Sequence, residues 1–290
     1  MRDSEFALCL THDVDRPYKT FQGPYYAVKE RDRSHLRSLV SAERPYWQFE
    51  DIMALEDRLG VRSSFYFLNE KRLFRDKAPP EWLNPTNWKL FTGRYDVTDD
   101  EIVDVICTLD DGGWEVGLHG SYDSSDDLER LRHEKAVLEG ILGSTVVGGR
   151  QHYLNLSRPK TWAYHREIGL RYDASLGSSA SYGFDGRYDV YRPFDDEFVV
   201  FPLTLMDGTL LSATPSVAAA WDECRRLLSE AAEHDAVMTV CWHPRHFNER
   251  EFPGYRTIYE RLIREAQSMG AWVGPCAEWY ERRVKRPVSN

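Results

Sequence analysis

The chain has 290 residues, 42% hydrophobic and 13% aromatic, with a formal net charge of −10. That length suits one large α/β core or two small ones, and the acidic balance argues against a polyanion such as nucleic acid as the main partner. No apolar stretch reaches a membrane-spanning length, no basic-then-apolar leader opens the sequence, and the five widely spaced cysteines form no CxxC pair, so the expected setting is a reduced, cytoplasmic one.

In chain order, a first strand over 6–11 ends in Thr11-His12-Asp13-Val14-Asp15. A helix over 47–59 stops at Gly60, a fitting C-cap, and 63–68 is the second strand. Acidic residues after Thr98 open a helix to about Asp110. A strand over 114–118 leads into His119, and a charged amphipathic helix covers 124–142. Val146 to Gly149 lead into Arg150-Gln151-His152-Tyr153, followed by a helix over 160–168 and a short strand over 170–173 that ends on Asp173. A strand over 198–203, a helix over 217–234 and an apolar strand over 236–242 ending at His243 come next. A helix over 257–269, a last strand over 271–273 and a helix over 277–283 complete the pattern. Strands separated by helices imply parallel βαβ units, and about seven fit a (β/α) barrel or an open doubly wound sheet. No composition shift marks a boundary, so 1–290 reads as a single domain with irregular loop insertions at about 16–45 and 74–97.

Polar residues recur just after the strands: Asp13 and Asp15, His119, Arg150 and His152, Asp173, His243. In such an architecture these tips share one face, where ligands bind. An Asp/His set drawn from several strands is what a divalent metal with nitrogen and oxygen ligands requires. The corresponding chemistry is metal-assisted hydrolysis, with a free carboxylate as base and a separate His as acid. His12 alternates with the two aspartates, so it points away from them into helix packing. His246, close after His243, is placed in the cleft, as are aromatic residues of the insertions and of 182–191, among them Tyr182, Phe184 and Tyr191, for sugar-ring stacking. Arg187 and Arg192 are suited to a phosphate or carboxylate on a substrate.

The order and spacing of these motifs resemble the polysaccharide deacetylase superfamily (NodB-homology domains, carbohydrate esterase family four). The matching segments are Thr11-His12-Asp13-Val14-Asp15, His119-Gly120-Ser121-Tyr122-Asp123, Arg150-Gln151-His152-Tyr153, Tyr172-Asp173-Ala174-Ser175 and Trp242-His243-Pro244. The resemblance implies an α/β fold, a distorted (β/α)7-type barrel, and removal of N- or O-acetyl groups from a carbohydrate with Zn²⁺ or a similar ion. It makes Asp13 the catalytic base, Arg150 the group that holds it, His119 a metal ligand and His243 the acid. Two positions depart from the family pattern. Its second aspartate falls on Val14, so Asp15, on the same strand face as Asp13, is taken as the substitute ligand. Its second histidine falls on Asp123. The third ligand is therefore either His152, at a strand tip, or Asp123, at the family spacing, and a carboxylate-rich set moves selectivity towards Mn²⁺ or Fe²⁺. Candidate substrate contacts are Tyr153, Asp173, Tyr191, Arg192 and His246. The expected substrate is an acetylated sugar in a polysaccharide or in a lipid- or nucleotide-linked precursor. The alternatives are hydrolysis of another C–N bond, or a glycan-binding domain whose site has decayed.

Overall fold

The computed structural model describes residues 6–284 apart from 21, 30, 32, 34 and 37–43. Its strands are β1 (Ala7–Val14), β2 (Ser64–Leu68), β3 (Glu115–Gly120), β4 (Gly148–Gln151), β5 (Tyr172–Leu176), β6 (Val199–Met206), β7 (Val237–Cys241) and β8 (Trp272–Gly274). Strands β1 to β7 pair in parallel in sequence order, and β7 pairs back onto β1, so seven strands close a barrel. The upper half of β1, Thr11 to Val14, pairs with β2, while its lower part, Ala7 to Cys9, pairs with β8. The last strand thus fills the gap where β2 diverges. Helices between the strands cover the outside, which is the (β/α)7 arrangement expected from the alternating pattern.

The side-chain period of two divides β1 cleanly. Leu8, Leu10 and Val14 join the apolar layer shared with the helices, whereas Ala7 and Cys9 belong to the barrel interior. His12 falls on the outer face, as its alternation implies: its Nε2 lies 3.1 Å from Glu56 Oε1 and its Nδ1 2.5 Å from the Trp242 carbonyl. Thr11 and Asp13 face inward, and the same parity carries Asp15 to the rim.

Large polar residues fill the interior, and glycines make room for them. A Cβ on Gly148 would lie 1.9 Å from the Tyr172 ring, and one on Gly117 would lie 2.6 Å from the Tyr66 ring. The two phenols meet at 3.1 Å, Tyr172 donates to buried Glu115, and Ser64 Oγ donates to the other Glu115 oxygen. Ala277 N at the start of helix Cys276–Arg283 also donates to Glu115, at 2.9 Å, which closes the floor. Burial pushes the Glu115 carboxyl up. Above this column the Arg150 guanidinium lies 5.1 Å from the Tyr66 ring centroid.

Several boundaries differ from the sequence expectations. The helix expected from 124 begins at Leu128, because Asp127 caps it by accepting from Arg130 N at 3.0 Å and the preceding Tyr122–Asp126 forms a 3-10 turn. The two insertions are not irregular throughout: they contain helices Gln22–Lys29, Leu73–Asp76 and Pro85–Gly93. The last starts with Pro at its first position and with Asn84 accepting from Thr86 N at 2.9 Å. The Phe74 ring packs edge-on against Trp82, Trp88 and Phe91 at 5.3 to 5.6 Å, so these aromatic residues fold their own insertion. Phe21 lies outside the described residues. Among those residues no helix is long and apolar enough to cross a membrane.

Candidate active site

The carboxyl ends of β1, β3, β4 and β7 bring most of the expected residues to one pocket of about 190 Å³, lined by Asp13, Asp15, His119, His152, Tyr153 and His243 among others. Asp13 is held by Arg150, whose Nη1 donates to it at 2.7 Å and to Thr11 Oγ1 at 2.8 Å, while Nε donates to the Ala174 carbonyl at 2.7 Å. Both charges are buried. Desolvation raises the Asp13 carboxyl, but Arg150, His119 and His243 outweigh it and leave the pKa below its usual value.

Asp15, His119 and His152 present ligand atoms that all lie within 4.8 Å of one another. His119 Nε2 is 3.0 Å from Asp15 Oδ1, and His152 Nε2 is 3.7 Å from the same oxygen. The opposite nitrogens are occupied. His119 Nδ1 lies 2.8 Å from the Arg150 carbonyl, which can only accept, so the proton sits on Nδ1. His152 Nδ1 is 3.4 Å from Glu70 Oε2. His119 Nε2 faces the Asp15 carboxylate, which together with Asp13 raises the His119 pKa; a cation held there would take the place of the Nε2 proton. One carboxylate and two imidazoles fit a divalent ion. Burial opposes ionisation of Asp15, yet His152, His119 and His243 hold its pKa well below normal.

His243 follows β7. Its backbone N–H donates to Asp207 Oδ2 at 2.5 Å, its Nδ1 is 2.7 Å from Asp207 Oδ1, and its Nε2 is 3.4 Å from Asp15 Oδ2. Asp13 and His243 offer ligand-type atoms within 4.8 Å of each other. Burial alone would depress the imidazolium, but Asp207 and Asp15 reverse the effect and the His243 pKa reaches about 9.

The other candidates lie elsewhere. Asp123 is outside the trio; its carboxylate is paired with Lys77, which Asn87 also accepts from. Asp173 was expected at a strand end, but β5 runs Tyr172–Leu176, so Asp173 is near its beginning. It is fully buried and accepts from Trp162 Nε1, Ser175 N and Ser175 Oγ. Tyr191 forms an antiparallel bridge with Val200 near the start of β6, at the opposite end of the barrel from the pocket. Arg192 is near Tyr280 on the floor helix, where its charge works against the rise that burial gives the phenol. None of these three lines the pocket. His246 is buried behind the wall, with Nδ1 2.6 Å from Asp207 Oδ2 and its ring 4.3 Å from Phe252. Burial drives its pKa down to about 4. Tyr153 stands at the mouth with φ 57°, accepting from Arg16 Nη2 at 3.3 Å under Lys89.

Sequence reasoning missed Asp207, Glu70 and Arg245. Asp207 is the residue after β6, whose true end is Met206 rather than 203; the alternating run Leu203 to Met206 was the available signal. Arg245 Nη1 lies 3.6 Å from Asp15 Oδ2.

A second buried carboxylate braces the loop after β3: Glu134 accepts from Ser121 N at 3.0 Å and from Arg130 Nε at 2.5 Å. Burial raises its pKa to about 7. A carboxyl whose pKa is raised on folding stabilises the fold most below its unfolded value, and that contribution is lost as pH rises through the folded value. Glu134→Gln, which stays neutral, should therefore gain on the wild type by about 3 kcal/mol between pH 4 and pH 8 in urea unfolding. An offset independent of pH would show Glu134 ionised throughout.

No protein-family model and no curated protein matches this chain. Solved structures do. A protein assigned as a polysaccharide deacetylase from Mycobacterium smegmatis is 18% identical, with a TM-score of 0.64 over 100% of this chain and 96% of that one. The Xyl-CE4 domain of a multidomain xylanase from the hindgut metagenome of Trinervitermes trinervoides is 10% identical, with a TM-score of 0.50, covering 98% and 95%. A CE4 family pseudoenzyme from Bacillus anthracis is 12% identical, with a TM-score of 0.51, covering 96% and 66%. With its closed seven-stranded parallel barrel, the chain carries the fold of the polysaccharide deacetylases.

Proposed function

We propose that the protein is a metal-dependent hydrolase that removes an acetyl group from an N- or O-acetylated sugar. One observation carries this reading: a carboxylate and an imidazole, Asp13 and His243, stand together beside a three-ligand cluster, each oriented by its own buried ion pair, with Arg150 and with Asp207. A binding-only site has no need of two such pairs.

A divalent ion held by Asp15, His119 and His152 would supply Lewis acidity towards the acetyl carbonyl; Zn²⁺ suits the set, and Mn²⁺ or Fe²⁺ also accept it. Asp13, kept ionised by Arg150, takes the proton of the attacking water. His243 donates from Nε2 to the departing amine or alkoxide, because Asp207 engages Nδ1 and stabilises the imidazolium. Glu70 fixes the His152 ring by engaging its second nitrogen. Tyr153, Arg16 and Arg245 border the pocket where the sugar would enter.

The test is acetate release from N-acetylglucosamine oligomers and O-acetylated glycans, with and without a chelator. Release that stops on chelation and returns with added Zn²⁺ is the expected result. No acetate from any of these glycans, at one bound ion per chain, would overturn the reading.

A further inference from the structure

Beside the catalytic pocket is a second cavity, of about 320 Å³, within the size range of small-molecule sites. The two share Leu154, and the adjacent residues Ser178 and Ser179 line one each. The two therefore adjoin at the carboxyl ends of β4 and β5. Two guanidiniums line the second cavity, Arg158 and Arg187. Arg158 is exposed and has no carboxylate partner among the described residues. Arg187 is half exposed, with Asp185 at 3.7 Å in a loose, solvated pair. Asp185 is also the one carboxylate on that lining. On the catalytic side Arg16 and Arg245 share the lining with the Asp13 and Asp15 carboxylates.

This concentration runs against the rest of the molecule, whose net charge is −10. An exposed arginine alone is ordinary. Two arginines converging on a concavity that adjoins the candidate catalytic pocket, with one carboxylate on the same lining to offset them, create a local positive field in an acidic protein. Guanidinium forks match carboxylate and phosphate oxygens two at a time. We propose that the second cavity is a subsite for an anionic group, a carboxylate or a phosphate, carried by the substrate next to its acetylated sugar. The inference rests on the deacetylase reading and narrows its substrate class to acidic glycans or phosphate-linked sugars.

Calorimetric titration of the metal-loaded protein with three probes tests it: neutral N,N′-diacetylchitobiose, a hyaluronan tetrasaccharide bearing uronate carboxylates, and UDP-N-acetylglucosamine bearing a diphosphate. At least one anionic probe should bind about tenfold more tightly than the neutral one, and R158A/R187A should erase that ratio. Preference for the tetrasaccharide assigns a carboxylate, and preference for the nucleotide sugar a phosphate. Equal affinity for the three, no binding of either anionic probe, or a ratio that survives in the double variant overturns the subsite. Acetate release from the neutral probe, measured on the same preparation, separates the two ideas. Release without anionic preference removes the subsite alone, and preference without release from any acetylated glycan removes the deacetylase reading alone.

Discussion

Asp13→Asn should lower kcat by about a thousandfold, the upper part of the range for a lost general base. The amide keeps the shape of the carboxylate and removes its basicity. It also leaves the Arg150 guanidinium buried beside a neutral group, which costs about 3 kcal/mol when one partner of such a pair is removed. The kinetic and structural effects separate by measuring kcat, bound metal and urea unfolding on the same preparation. Metal content should stay near one ion per chain, because the ligand trio is untouched. Retention of more than a tenth of the wild-type kcat would mean that another group takes the proton.

Metal content divides the histidines and carboxylates of the site into two classes. Asp15→Ala, His119→Ala and His152→Ala should each leave the purified protein with little bound ion after dialysis, as read by elemental analysis. Asp123→Ala should keep its ion, since that side chain is engaged by Lys77 outside the trio. His243→Ala should also keep the ion while losing about two to four orders of magnitude in kcat. Glu70→Gln is intermediate, with metal affinity about ten- to a hundredfold weaker through misorientation of His152. Loss of metal from Asp123→Ala with retention in His152→Ala would reverse the choice of third ligand, and loss from His243→Ala would remove the proton-donor role.

The barrel was legible in the sequence because most of its strands, β1, β2 and β7 above all, are apolar runs ended by a polar tip. The residues at the ends of those runs converge: Asp13, Asp15, His119, Arg150, His152 and His243 share one pocket lining or its immediate support, although β1 runs to Val14 rather than 11. For β5 and β6, placing the strand a few residues early moved the inference about its tip. Reading 170–173 instead of Tyr172–Leu176 set Asp173 at the rim, when it is sealed under Trp162. Ending a strand at 203 instead of Met206 hid Asp207. The pairing shifts between Leu203 and Leu205, an irregularity no local pattern encodes. Tyr191 and Arg192 belong to a return segment whose antiparallel bridge lies at the far end, and a rule built on parallel strands has no means of anticipating it. Glu70 was invisible for another reason: its role depends on His152, 82 positions away.

The way β1 is flanked has a consequence for synthesis. This strand is made before the other strands of the ring, yet β7 and β8 both bond to it, and Thr11 Oγ1 donates to the Val240 carbonyl across 229 positions. Until residues near 240 and then 272 have emerged, its alternating apolar and charged faces lack their final neighbours. Ring closure is thus a late, non-local event, the kind that slows folding and exposes unpaired edges on the way. The candidate site cannot assemble gradually, because the carboxylates on that strand gain their places only when the ring shuts.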